Sequence, residues 1–485
     1  MTYTTIQNFT SASNAALAQP GYMIGIDFAL NKNPRHTHFR DRWVPYAQFS
    51  FETLSHTVEN ARYGETGIVR FGKLSDLVWK TYLRYVRCGI EGKASGSPST
   101  QFPHVADECG PCGASDRAYF TTLGAGDLEA GIDAHIADNY GGVASGAESA
   151  KITPAAAEGD AEPEAFAHYC NVYATAAATK ITAMCGSQPL DTLTRTHIFK
   201  WSETEISASQ RMGYNEMVGR AYSRKALVAD SMQEKVLYQE IPFWHTSTPS
   251  KALAIICGLY SPVEYHIQFA PLREMVVRSG PEVRVVKAGT DTELSEGDLR
   301  VSLDAVHIYL QSTERDRFGL TPYDLIVPMH KQHNFTVTGQ SVVSLAVQCP
   351  HLVTEVNWTV QRKCHRAANE HFNFSGRLGM DPIHSAAIEF AGAVPHQQRE
   401  APFWRLVQNR CHTAIPSEHI YSCQFSLCPE SSKPNGGAGL ARFDGLTVKL
   451  WLAPGLEQEE VHIDVLLTYQ QLLKMRNGVI GRAFG

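Results

Sequence analysis

Apolar and polar residues alternate along several short runs of the chain. Val461, Ile463, Val465, Leu467 and Tyr469 recur at every second position, as do Leu446, Val448, Leu450 and Leu452, with Thr447, Lys449 and Trp451 between them. A period of two puts each set on one face of a β-strand. Trp451 adds a large apolar group to the opposite face, which suits a layer that meets a neighbouring domain or subunit. Similar runs cover Trp43–Leu54, Ile68–Phe71, Leu77–Cys88, Lys180–Cys185, Val236–Trp244, Ile255–Phe269, Val301–Leu310 and Val342–Cys349. In Val301–Leu310 the phase changes, and a bulge at Asp304-Ala305 is expected to reset the faces. Short helical pieces are expected at Met212–Lys225 and Tyr469–Met475. Many short strands, Gly/Pro turns and no regular strand–helix alternation predict an all-β sandwich architecture.

One stretch departs from this pattern. Between Asp107 and Glu164 there are twelve acidic residues against Arg117 and Lys151, a net of -10 in a chain whose total is -6, so the remainder carries +4. With its Gly and Ala content, Gly92–Ala165 reads as a surface excursion with small elements of its own, since 74 structureless residues would be unusual.

The chain's 485 residues suffice for two or three domains with substantial cores. With 43% hydrophobic and 19% charged residues, global disorder is not expected. The mild charge argues against a surface devoted as a whole to nucleic acid. Eleven cysteines, an odd number, cannot all pair within the chain. Their spacing is not that of a small secreted scaffold, so free thiols in a chain made in the cytoplasm are expected. Met1–Asn14 lacks the order of a signal peptide, and no run approaches 18 uninterrupted apolar residues. The glycosylation-type triplets at Asn8, Asn334, Asn357 and Asn373 therefore need not be used.

Enzyme signals are weak. Cys109-Gly110-Pro111-Cys112 has dithiol spacing, but its acidic surroundings disfavour a thiolate. His168-Tyr169-Cys170 and Cys364-His365 lack a second ligand pair, and neighbours in a strand point to opposite faces. No metalloprotease, phosphate-loop, nucleophile-elbow or dinucleotide motif is present. The glycines of Pro434-Asn435-Gly436-Gly437-Ala438-Gly439 lack a following Lys-Ser/Thr and read as a loop between strands. Pro242-Phe243-Trp244-His245 and Phe403-Trp404-Arg405 resemble stacking platforms only superficially; Glu240 and Thr246-Ser247-Thr248 flank the first, and core packing is expected. No catalytic residue, cofactor or metal is assigned.

A series of motifs carries a family resemblance. Asn33-Pro34 and Phe39 precede Trp43-Val44-Pro45-Tyr46, and Asp76-Leu77 opens a strand. Cys185-Gly186-Ser187-Gln188-Pro189-Leu190-Asp191, Ile241-Pro242-Phe243-Trp244 and Glu314-Arg315-Asp316-Arg317-Phe318 follow in order. Later come Ile420–Glu430 with Phe425 and Pro429, Pro434 with Gly436, and Arg442 with Asp444. Taken in order, they resemble the major capsid proteins of nucleocytoplasmic large DNA viruses, of the iridovirus and algal-virus type.

The resemblance implies two consecutive eight-stranded jelly rolls: an N-terminal arm at 1–21, a first jelly roll at 22–313 that includes the 92–165 insertion, a linker at 314–321 and a second jelly roll at 322–485. It implies a homotrimer forming a pseudo-hexagonal capsomer in an icosahedral shell, assembled in the host cytoplasm. Neighbouring capsomers and minor capsid, cement and penton proteins would be its partners, with membrane contact indirect and no sequence-specific nucleic-acid binding. The alternatives are a transient membrane-scaffolding lattice protein and a jelly-roll metalloenzyme or carbohydrate-binding protein.

Overall fold

The alternating runs fold into antiparallel strands. A computed structural model describes residues 46–72, 74–94, 102–103, 116, 165–258, 260–390, 393–431, 433–442, 445–476 and 478–484. All elements below belong to the unit Phe49–Gly485.

The first eight principal strands are β1 (Phe49–Thr57), β2 (Thr66–Arg70), β3 (Leu77–Arg87), β4 (Ala178–Cys185), β5 (Gln188–Thr194), β6 (Lys235–Glu240), β7 (Val263–Phe269) and β8 (Arg300–Leu310). They form two four-stranded sheets, ordered β1-β8-β3-β6 and β2-β7-β4-β5. The second eight are β9 (Tyr323–Val337), β10 (Val342–Val347), β11 (Leu352–Arg362), β12 (Ile383–Phe390), β13 (Ala393–Glu400), β14 (Ile420–Gln424), β15 (Leu446–Leu452) and β16 (Val461–Arg476). Their orders are β9-β16-β11-β14 and β10-β15-β12-β13. Numbered within each half, both halves read 1-8-3-6 and 2-7-4-5, the connectivity of a jelly roll. The chain is an all-β double jelly roll.

Alternation builds each core. Val461, Ile463, Val465, Leu467 and Tyr469 are all buried, as are Leu446, Val448, Leu450 and Leu452. Each such side chain contributes roughly 1.5–3 kcal/mol when fully withdrawn from water. In the first half, Leu83, Tyr85, Ile181, Leu237, Tyr265, Ile267 and Leu303 do the same. Trp358, Trp404 and Tyr421 fill the second core, with Trp358 and Trp404 rings 5.5 Å apart.

Several expectations need correction. Tyr469–Met475 is not helical: it continues β16 in register with β9 down to Tyr323 opposite Met475. The long partner strand overrides local propensity. The bulge in β8 falls between Ala305 and His307, slightly beyond the expected Asp304-Ala305. Met212–Lys225 does hold helical pieces, as expected, in parts of two helices, Ala208–Val218 and Arg224–Ser231, separated after Gly219 at φ 77. Ile255–Cys257 is a 3-10 turn, and its strand begins at Val263. Trp244–Ser247 is a short helical turn.

Candidate functional site

A dense set of buried polar contacts lies where the two jelly rolls meet. Its centre is α1 (Arg195–Glu205), which leaves the end of β5. Thr194 caps the helix, its hydroxyl oxygen accepting the His197 N–H at 3.4 Å; this satisfies one orphan donor of the first turn. An ordinary surface helix buries one apolar stripe. In α1, Thr196, His197, Ile198, Phe199, Lys200, Ser202, Glu203 and Thr204 are all buried, because the second jelly roll covers the side that the first leaves open.

The polar members of α1 are matched residue by residue. Lys200 Nζ donates to Glu355 Oε2 of β11 at 2.8 Å, and His412 Nε2 lies 2.8 Å from Glu355 Oε1. His412 Nδ1 is 3.0 Å from Glu430 Oε1. Burial acts to raise Glu355, but Lys200 and His412 outweigh it and hold the carboxyl well below the usual range. Burial acts to lower His412, and Glu355 reverses this, raising the imidazole to about 8. Thr196 donates to Asp464 of β16 at 3.2 Å. Glu203 accepts from Arg211, Arg220 and both the backbone N–H and hydroxyl of Ser417. Phe199 stacks on Phe372, with centroids 4.3 Å apart and planes at 13°. Such a joint fixes orientation: breaking one partner of a buried pair leaves an uncompensated charge.

The strands behind α1 are accordingly buried on both sides. Val356, Trp358 and Val360 of β11 face their own core, whereas Glu355, Asn357 and Thr359 occupy the alternate positions and are equally buried. Nothing in the amphipathic pattern of Arg195–Glu205 marks a helix, because its polar residues are the ones that meet polar partners. The signal available in sequence was the capping Thr194.

A second tie involves motif residues. Asp191 accepts from the His330 backbone N–H at 2.9 Å, and its other oxygen lies 2.9 Å from His330 Nδ1, joining β5 to β9. Asp76 accepts from Leu310 N–H at 2.8 Å and pairs with Arg315 Nε at 3.0 Å. It thereby secures the start of β3 to the helix α2 (Ser312–Leu320) between the halves. Within α2, Glu314 pairs with exposed Arg317 at 3.1 Å, and Phe318 packs edge-on against Tyr323.

The remaining motif residues are scattered structural positions. Gly186 turns the β4–β5 hairpin at φ 59, a left-handed conformation that favours glycine, and Gln188 begins β5. Leu77 opens β3. Pro242, Phe243 and Trp244 are buried, Phe243 against Tyr265. Phe425 contacts Phe390; Pro429 lines the joint; Pro434 and Gly436 lie in the loop before Ala438–Gly439. Arg442 ends a 3-10 turn. Asn33, Pro34, Phe39 and Asp444 lie outside the described residues, as do Cys109, Cys112 and Asn8.

Two chemical expectations also change. Cys364 is disulfide-bonded, whereas the other described cysteines are free thiols. Asp116, within the acidic stretch expected on the surface, is buried against Arg362 and Arg377, with Oδ1 2.8 Å from a guanidinium nitrogen of each. His168 is buried and directs Nδ1 at the Tyr169 carbonyl. Among the described residues, no group of three or more His, Cys, Asp or Glu side chains is placed to hold a metal. Asn334 is exposed, whereas Asn357 is buried and accepts from Ser422.

Comparison with known proteins gives the same architecture. Residues 314–480 match a family described as the large eukaryotic DNA virus major capsid protein. The chain is 20% identical over 363 residues to a major capsid protein of Chrysochromulina ericina virus, covering 69% of this chain and 55% of that relative. It is 19% identical over 422 residues to one of Phaeocystis pouchetii virus, covering 63% and 80%. The match thus spans little more than half of the first relative's length. In structure it is similar to the PBCV-1 virus capsid, with TM-score 0.64, 13% identity, and coverage of 93% of this chain and 100% of that one. Similarity to the Faustovirus major capsid protein also gives TM-score 0.64, at 8% identity and 96% coverage of both chains. Two jelly rolls of identical strand order are thus joined by a matched polar interface, and the second carries, over residues 314–480, the signature of the large eukaryotic DNA virus major capsid protein.

Proposed function

We propose that copies of this chain build the outer icosahedral shell of a large DNA virus, three to a pseudo-hexagonal capsomer. The observation that carries this reading is the repeated strand order, held in one unit by α1. Three such chains around a threefold axis supply six similar sandwiches. Covalent linkage halves the number of bodies that must be brought together and so lowers the entropic cost of assembly.

In this reading residues 1–21 are an arm, 22–313 the first jelly roll with the 92–165 insertion, 314–321 a linker and 322–485 the second jelly roll. Neighbouring capsomers and minor capsid, cement and penton proteins are its partners, and assembly takes place in the host cytoplasm. The role is structural and not enzymatic. The motif residues serve folding: Asp76 and Arg315 fix the connection, Asp191 the joint, and Phe243 and Trp244 the first core.

Electron cryomicroscopy of mature, infectious particles tests the proposal. A threefold surface unit with six upright sandwiches, into which this chain fits, is the expected map. Presence of the protein on immature particles alone would replace it with a transient scaffold.

A further inference from the structure

The side chains that line a groove of about 540 Å³ between the two jelly rolls include no Asp or Glu. Lys180 reaches it from β4, Lys331 from β9 and Arg482 from the short strand Val479–Arg482 that pairs with β16. None of the three has a carboxylate within ion-pair distance among the described residues. Among the described residues, Lys331 Nζ donates to the Gln348 carbonyl, at 2.9 Å, and Arg482 Nε is buried with no hydrogen-bond partner. His330 also lines the groove, but Asp191 behind it is already engaged by that residue.

We propose that this groove is a binding site for a small phosphate-bearing polyanion, clasped by Lys180, Lys331 and Arg482 across the two jelly rolls. Cations gathered in a partly enclosed groove without counter-charges focus a positive potential and repel one another until an anion enters. Arginine offers a planar fork to phosphate oxygens, and the lysines act as point charges. The Thr194 hydroxyl and the exposed flank of His351, whose ring stacks on Tyr469 at 4.7 Å, complete a wall able to receive a polar or planar remainder. The volume matches a nucleotide or a short polyphosphate. The uncompensated charge registers on a neighbour: burial, then Arg482 and Lys331, lower the His351 imidazole. Because the walls come from both halves, an occupant would tie them together and raise the unfolding temperature by mass action.

The test is thermal unfolding and calorimetric titration of the purified full-length chain with sodium tripolyphosphate, ATP and citrate, each against sodium chloride of equal ionic strength. Saturable binding of tripolyphosphate or ATP, with a rise in Tm that chloride does not reproduce, is expected; the tighter of the two identifies inorganic polyphosphate or nucleotide as the source. Lys180→Gln with Lys331→Gln should weaken that binding at least tenfold. Lys180→Gln alone, at an exposed position, should weaken it severalfold with the unliganded Tm unchanged. No response beyond that to chloride, an equal response to citrate, or undiminished binding by Lys180→Gln would overturn the proposal.

Discussion

Asp116 sits with its Oδ1 2.8 Å from Nη2 of Arg362, at the end of β11, and so ties this one residue to the second jelly roll. Arg377 reaches the same oxygen, and Glu459 accepts from both arginines. Asp116→Asn leaves two guanidinium groups short of an anion and should destabilise the protein by about 3 kcal/mol. Urea unfolding followed by tryptophan fluorescence measures this; a midpoint equal to that of the wild type would show the contact to be dispensable.

The joint should respond unequally to loss of its two central charges. Glu355→Gln removes the carboxylate partner of Lys200 and one of the two carboxylates on His412, which keeps Glu430, whereas Lys200→Met leaves Glu355 still paired with His412. The first change should therefore cost more, on the order of 4 kcal/mol against about 2 kcal/mol. Equal losses in denaturant unfolding would contradict this ordering.

Alkaline pH should weaken the same joint. The His412 imidazole is raised from an ordinary 6.5 to about 8 by Glu355, so its contribution is complete below pH 6.5 and disappears as pH rises through about 8. The shift corresponds to about 2 kcal/mol. Glu355 moves the opposite way and keeps its contribution until the pH falls below the usual carboxylate range. Unfolding free energy measured from pH 6 to 9.5 should decline in the wild type and stay nearly level in His412→Gln; parallel curves for the two proteins would refute the assignment.

Phe199 supplies the apolar part of the joint. Phe199→Ala removes the ring that stacks on Phe372 and should cost about 3–5 kcal/mol, and Phe199→Leu markedly less. Calorimetric melting of the three proteins gives the comparison.

Assembly should depend on a different surface. Phe49 and Phe51 are 64% and 69% exposed on β1, an edge strand of the first jelly roll. Large exposed apolar groups on an edge mark a contact surface. Phe51→Ser should leave unfolding free energy within ~0.5 kcal/mol of wild type and reduce the yield of assembled particles in sedimentation. Unimpaired assembly would remove β1 from the contacts between subunits.

The strands of the second half were legible because their period-two runs, such as Val461–Tyr469, face one apolar core. Legibility failed where a segment answers to two environments. The polar residues of α1 look like those of a loop until Glu355, Asp464 and Ser417 are seen opposite them. Tyr469–Met475 carried too little pattern to reveal that β9 would pair with it throughout. Asp76 and Arg315 could be picked out as motif members, but 239 positions of separation hid their contact, which only the return of β8 beside β3 creates. The pairing of Asp116 with two arginines had no local signal at all.

From Val353 to Val360, β11 has no water-facing side. A substitution there must suit its own hydrophobic interior and, one position later, the charged helix of the other half, so neither size nor polarity can drift freely. Saturation mutagenesis should find in this strand an unbroken band of intolerant positions, where an edge strand such as β10 would show every second residue free to vary.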